Sequence, residues 1–168
     1  MATTLTAEAR KEYGVLQDAK PTTIIIACPD PKFHLAVRGF IEEELGLGPG
    51  QYLLLGELGG VLPLTEIMTP HALKHMEEII RFCFEEISSL QNAVVLNHAD
   101  CRRYKYFHTM LGGSFLQGHD NLQLRQCRDL RLAERRITHL ASRKIAVTQY
   151  YQKWSDEERT RVYFEKIN

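Results

Sequence analysis

The sequence predicts an α/β fold: a mostly parallel central sheet flanked by helices, with an antiparallel strand at its edge. Three observations lead there. Residues 22–27 (Thr-Thr-Ile-Ile-Ile-Ala) form a continuous run rich in β-branched side chains, as expected of a strand covered on both faces of a parallel sheet. Residues 93–96 supply a second buried run after a long amphipathic helical stretch. Strand, helix, strand in that order implies a right-handed crossover and parallel pairing. Residues 145–151 and 161–167 alternate apolar and polar side chains around a turn-like Ser155-Asp156-Glu157-Glu158, the pattern of edge strands.

The other elements follow in chain order. Residues 6–17 have helix-forming composition with Thr6 as a possible N-cap. Beyond the first strand, Pro29 and Pro31 fix two φ angles around Asp30 and bar helix or sheet from continuing there. A helix over residues 33–45 turns Phe33, Val37, Phe40, Ile41 and Leu45 toward the core, then stops at Gly46-Leu47-Gly48-Pro49-Gly50. That glycine-rich break is no phosphate loop, because no Lys-Ser or Lys-Thr follows it and a strand comes next. The strand is residues 52–55. Past its end Gly59-Gly60 either turn the chain or let its backbone approach whatever lies beside Cys28.

Thr69 caps a helix with Pro70 at its first position, and an apolar set running from Leu73 through Met76, Ile80, Phe82 and Phe84 to Ile87 gives it a broad buried face. Cys83 reads as core. His71 and His75 stand four apart there but have no Cys or carboxylate at a matching offset, so they read as solvated. Residues 122–143 form an Arg-rich helix whose arginines alternate with Asp129 and Glu134, a salt-bridged exposed face. Near the second buried run, Arg102, Arg103 and Lys105 form either an anion site or a solvated basic turn.

The chain has 168 residues, no formal net charge and a quarter of its residues charged. This length suits one domain. Balanced charge argues against a nucleic-acid or anionic-membrane binder, which needs a basic face. No apolar run approaches the roughly 20 residues of a membrane helix. Residues 1–20 carry Glu8, Glu12 and Asp18 and do not read as a secretion signal, so a cytoplasmic protein is expected. Four cysteines in such a chain point to metal binding or burial before disulfides.

Each buried run ends in residues that ligate metals. Cys28-Pro29-Asp30-Pro31-Lys32 follows the first, and His98-Ala99-Asp100-Cys101 follows the second. Taken singly, Cys28, His98 and Cys101 each read as packed core residues. Together they match the three-ligand set of a zinc site with a fourth position open for water or substrate. The three-residue spacing of His98 and Cys101 lets one turn present both to one ion. Ligands of an open parallel sheet bind at the carboxyl ends of its strands, where all three stand.

Cys-x-Asp-x-Arg followed by His-x-x-Cys marks the β-class carbonic anhydrases, and the chain resembles that family at Cys28, Asp30, His98 and Cys101. Residues 52–61 are similar to the family's second strand and its Arg-Asn-Ala-Gly turn, with Gly59 and Gly60 kept. The two C-terminal strands are similar to its closing pair. The resemblance implies a β-carbonic-anhydrase-like domain over residues 1–168, with 1–20 an N-terminal helical arm. It implies Zn2+ on Cys28, His98 and Cys101, and CO2 hydrated reversibly to bicarbonate by a zinc-bound hydroxide. No organic cofactor is required. It further implies a homodimer or higher homo-oligomer, with neighbouring subunits completing the pocket.

Three positions depart from the family: Lys32 stands for Arg, Arg102 for Gly, and Gly56-Glu57 for Arg-Asn. Two jobs are open to Asp30, orienting the hydroxide or closing the site as a fourth ligand. The family Arg draws that Asp off the metal, and here Lys32 would have to do so without a rigid bidentate fork. Reduced hydratase activity is therefore expected. The alternatives are a zinc-binding relative without hydratase activity and a hydrolase of another small linear molecule such as carbon disulfide.

Overall fold

The structure, a computed structural model, describes residues 15–65, 68–111 and 122–167 of the 168. Five strands form one sheet in the order β2-β1-β3-β4-β5. They are β1 (Thr23–Ala27), β2 (Tyr52–Gly56), β3 (Asn92–His98), β4 (Ala146–Trp154) and β5 (Val162–Ile167). The first four are mutually parallel and β5 runs antiparallel to β4, as the sequence predicts. One assignment is corrected. Residues 145–151 alternate like an edge strand, yet β4 lies inside the sheet with β3 on one side and β5 on the other. Its pattern reflects polar residues that are buried, such as Gln149, whose amide donates to Glu134, and Gln152, rather than a solvated face. The edges are β5 and β2.

Burial follows the alternation of strand side chains. Ile24 and Ile26 pack with Met76, Ile80, Phe84 and Leu130, from α2 (Pro70–Glu86) and α4 (Leu122–Leu140). Ile25 and Ala27 face the other way, against Phe40 and Ile41. Ile24, Ile25 and Ile26 are all fully buried, each contributing about 1.5–3 kcal/mol of apolar burial. A strand with helices on both faces therefore reads as one unbroken apolar run.

The helices largely match their expected spans. Thr69 caps α2 by accepting from the Ala72 N–H at 3.3 Å, with Pro70 at the first position. Phe82 departs from the expectation, being 63% exposed. It lies two residues from both Ile80 and Phe84, and residues two apart do not share a helix face. The helix expected over residues 33–45 is a 3-10 turn (Pro31–Phe33), α1 (His34–Gly39) and a widened π turn (Phe40–Glu44), ended by Gly46 at φ 65°. On α4, Arg125 pairs with Asp129 at 3.1 Å, but Asp129 is buried rather than on a solvated face. The helix expected at residues 6–17 lies outside the described residues except for 15–17, which are not helical. Among the described residues no helix is long and apolar enough to cross a membrane.

This topology sets the position of the site. From β1 the chain goes to β2 on one side, then returns to β3 on the other. The carboxyl ends of β1 and β3 thus flank the point where strand order reverses, the place where open α/β sheets leave a crevice. Ile26 pairs with Val95, so Cys28 and Asn97 stand level two residues further on.

Candidate metal centre

Cys28 leaves the end of β1, His98 is the last residue of β3, and Cys101 caps the N-terminus of α3 (Arg102–Met110). Their candidate ligand atoms all lie within 4.8 Å of one another. Tetrahedral zinc with bonds of about 2.3 Å to sulfur and 2.0–2.1 Å to nitrogen needs ligand atoms about 3.6–3.8 Å apart, so a small inward movement of the side chains suffices.

The His98 ring, 4% exposed, places Nδ1 at 2.8 Å from the Ala99 carbonyl. Only an N–H can bond a carbonyl, so this contact assigns the proton to Nδ1 and leaves a lone pair on Nε2. That Nε2 is buried and has no hydrogen-bond partner. A buried unpaired acceptor is costly, and an ion between the sulfurs would satisfy it. The residues therefore fit a metal. Phe33 covers the ring, its centroid 4.6 Å from that of His98.

The two sulfurs are electrostatically unlike. A hydrogen bond from the Cys101 thiol, aided by the Gly59 N–H, pulls the half-buried Cys28 thiol well below the usual thiol range. Cys101, 1% exposed, is pushed up in turn, first by that shared proton and then by burial. The pair behaves as one thiolate and one thiol holding a single proton between them. The Gly59 N–H donates to Cys28 Sγ at 3.4 Å. Of the two readings of Gly59-Gly60, close approach holds: a Cβ on Gly60 would lie 2.5 Å from both the Leu96 carbonyl and Asn97 Oδ1.

Asp30 and Lys32 stand at the rim. The Asp30 carboxylate accepts from the backbone N–H of Lys32 at 3.1 Å and caps the 3-10 turn. It is not one of the clustered ligands. Among the described residues Lys32 makes no ion pair; its exposed side chain lines a cleft with Trp154 and Arg159. Arg38, a conceivable substitute partner for Asp30, is paired with Glu42 at 2.8 Å. On the opposite side of Cys28 lies a mostly apolar chamber of about 250 Å³, lined by Val37, Ile41, Tyr52 and Leu54, with His34 and Arg38 also present.

Two residues at the centre carry roles that the motif alone does not express. Asp100 holds φ at 60° in the turn between His98 and Cys101. Its carboxylate accepts from Lys105 at 2.6 Å, the Trp154 indole at 3.1 Å and Arg159 at 2.6 Å. The Lys105 ammonium foremost holds it below the usual carboxylate range. Asn97 is the other. The αL tendency of Asp is a sequence signal for the first; nothing local signals the bonds of either.

Comparison with solved structures places this architecture. A β-carbonic anhydrase isoform from the protozoan Trichomonas vaginalis superposes with a TM-score of 0.57 at 11% identity, covering 94% of this chain and 87% of that one. Tetrameric β-carbonic anhydrases from the ascomycete Sordaria macrospora give 0.53 at 11% identity, over 88% and 81%. The fold is that of the β-carbonic anhydrases. A carbonic anhydrase from Glaciozyma antarctica gives 0.50 at 14% identity, over 91% and 85%. No protein-family model matches the sequence, and no curated protein sequence matches it. At these identities the β-carbonic-anhydrase-like likeness is one of fold.

Proposed function

We propose that the chain holds a zinc ion on Cys28, His98 and Cys101 and hydrates CO2 reversibly to bicarbonate. The observation that carries this reading is the convergence of two sulfurs and an unpartnered, buried Nε2 at the strand-order reversal of a β-carbonic-anhydrase-like sheet. Zinc held there would supply a Lewis acid able to bring the pKa of a water down to about 7. The chain's own groups do the rest. The Gly59 N–H and the Ala99 carbonyl fix the orientation of Cys28 and His98. Asp30, at the rim, would be the group to accept a hydrogen bond from the attacking water and orient it, provided its carboxylate were held off the metal.

That last condition is the weak point, and it favours a second reading: a zinc-holding protein with little or no hydratase activity. No guanidinium sits on Asp30 among the described residues, and its visible partner is a backbone N–H. A flexible ammonium replaces the rigid fork that would restrain it. Lys32→Arg is therefore expected to raise the CO2 hydration rate by about tenfold, the equivalent of roughly 1.4 kcal/mol of better placement. Elemental analysis with stopped-flow hydration assays tests both readings. One zinc per chain with hydration above background supports the enzyme; one zinc without hydration, in wild type and Lys32→Arg alike, supports the second.

We further propose a homo-oligomer. The tetrameric state stated for the Sordaria enzymes and the exposed Leu35, Leu54 and Leu58 support it, and sedimentation tests it.

A further inference from the structure

Asn97 stands one residue before His98 and, by strand alternation, points to the opposite face of the sheet. Other β3 residues on that face, Ala93 and Val95, are apolar and belong to the core. Asn97 is 2% exposed, and a buried amide is costly unless its hydrogen bonds are made. They are made. Oδ1 accepts from the Val61 N–H at 3.4 Å, while Nδ2 donates to the Tyr104 hydroxyl at 3.2 Å and to the Gln126 carbonyl at 3.2 Å. One N–H donor on the oxygen side and two acceptors on the nitrogen side fix which way round the amide sits.

The partners belong to the segments that carry the other ligands. Val61 continues the Gly59-Gly60 turn, whose Gly59 N–H bonds Cys28 Sγ. That turn lies so close to Asn97 that only glycine fits at position 60. Tyr104 is in the first turn of α3, the helix that Cys101 caps, and it is itself fully buried and hydrogen-bonded to Asp129 of α4. His98 is joined to Asn97 by the peptide bond. A single amide thus ties together the three stretches of backbone from which Cys28, His98 and Cys101 project.

We propose that Asn97 is the positioning residue of this centre, setting the spacing of the two sulfurs around His98 Nε2. The proposal rests on the three-ligand metal reading. It adds a determinant that touches neither the ion nor a substrate, acting through its bonds to the neighbouring segments. Partners bonded directly to a ligand change metal affinity by about 10–100-fold when removed, and an amide that holds all three ligand segments is expected to act on the same scale.

The test uses full-length protein, with zinc affinity read by chelator competition, the cobalt(II) absorption spectrum, and the thermal midpoint of the metal-free chain. Asn97→Leu keeps the branching and heavy-atom count in a bulkier form and removes all three bonds; Tyr104→Phe removes one of them and is the milder change. Asn97→Leu is expected to weaken zinc binding about 10–100-fold and to shift the cobalt bands. Tyr104→Phe is expected to move both in the same direction by a smaller factor, and it carries the test where Asn97→Leu does not fold. Zinc affinity within twofold of wild type and unshifted cobalt bands in the folded variants would overturn the proposal, even with a lowered midpoint, because a merely structural amide gives that result. A wild-type chain that takes up neither zinc nor cobalt overturns the metal reading itself, and the positioning role with it.

Discussion

Replacing Cys101 by serine is expected to abolish tight zinc binding and, with it, CO2 hydration. A four-ligand structural site contributes about 10–16 kcal/mol. Losing one ligand of comparable weight costs about 3–4 kcal/mol, or about 10²–10³-fold in affinity. The lost stabilisation is readable as well. Free zinc at 100 times the dissociation constant stabilises a folded chain by about 2.7 kcal/mol, which for a protein of this size is about 5–10 °C in thermal midpoint. Wild type should gain that shift on adding zinc, and Cys101→Ser should not. The pH dependence separates this from simple unfolding. Cys28, held well below the usual thiol range by the hydrogen bond from Cys101, gives up its proton before Cys101 does. Cys101, pushed up by that thiolate and by burial, keeps its proton and must release it to bind metal. Zinc affinity of the wild type should therefore rise about tenfold per pH unit above neutrality, one proton being released. A wild-type affinity that does not change with pH would mean that no thiol proton is displaced and that Cys101 is not a ligand.

What the sequence made legible divides along physical lines. Ile24, Ile25 and Ile26 announce a strand buried on both faces because covering both faces of a strand requires every residue to be apolar. The break in that run at Cys28, repeated at His98 and Cys101, marks the ends of adjacent strands, and the structure brings those ends together. The thiol and imidazole chemistry is carried by the residue types, so it could be read before the fold. Bonds between distant segments could not. Asp100 reaches Trp154 and Arg159 across more than 50 residues, and Asn97 reaches Val61 and Gln126. Neither residue type nor local period encodes such partners. Phe82 misleads for a related reason: an apolar count over residues 79–84 ignores that position 82 turns away from Ile80. β4 misleads because alternation reports side-chain polarity, while the position of a strand in the sheet depends on which strands it pairs with.

The glycine turn supplies the largest expected effect on stability. Gly60 has φ 60°, a conformation that costs an L-residue about 1–2 kcal/mol. An alanine methyl there would also meet the Leu96 carbonyl and Asn97 Oδ1 at 2.5 Å. The carbonyl belongs to β3 between two paired strands and cannot move aside, and Asn97 is held by three hydrogen bonds. Overpacking of this kind adds about 1–3 kcal/mol. Gly60→Ala should therefore lose roughly 2–5 kcal/mol of unfolding free energy in urea titrations. Gly59, at φ 89°, is the internal control. Its methyl would meet Leu62 Cβ at 3.0 Å and Arg103 Cγ at 3.2 Å, contacts relieved by a shift of about a few tenths of an ångström rather than the larger one needed at Gly60. Gly59→Ala should lose about half as much or less, on the conformational term alone about 1–2 kcal/mol. The two should also part in the metal-loaded state. Gly59 donates directly to Cys28 Sγ, so the small shift tolerated there falls on Cys28, whereas the strain at Gly60 falls on β3 and on the amide of Asn97. If Gly59→Ala proves the more destabilising of the two, the turn does not press against the end of β3 as described, and the link between the Cys28 and His98 segments fails at that point.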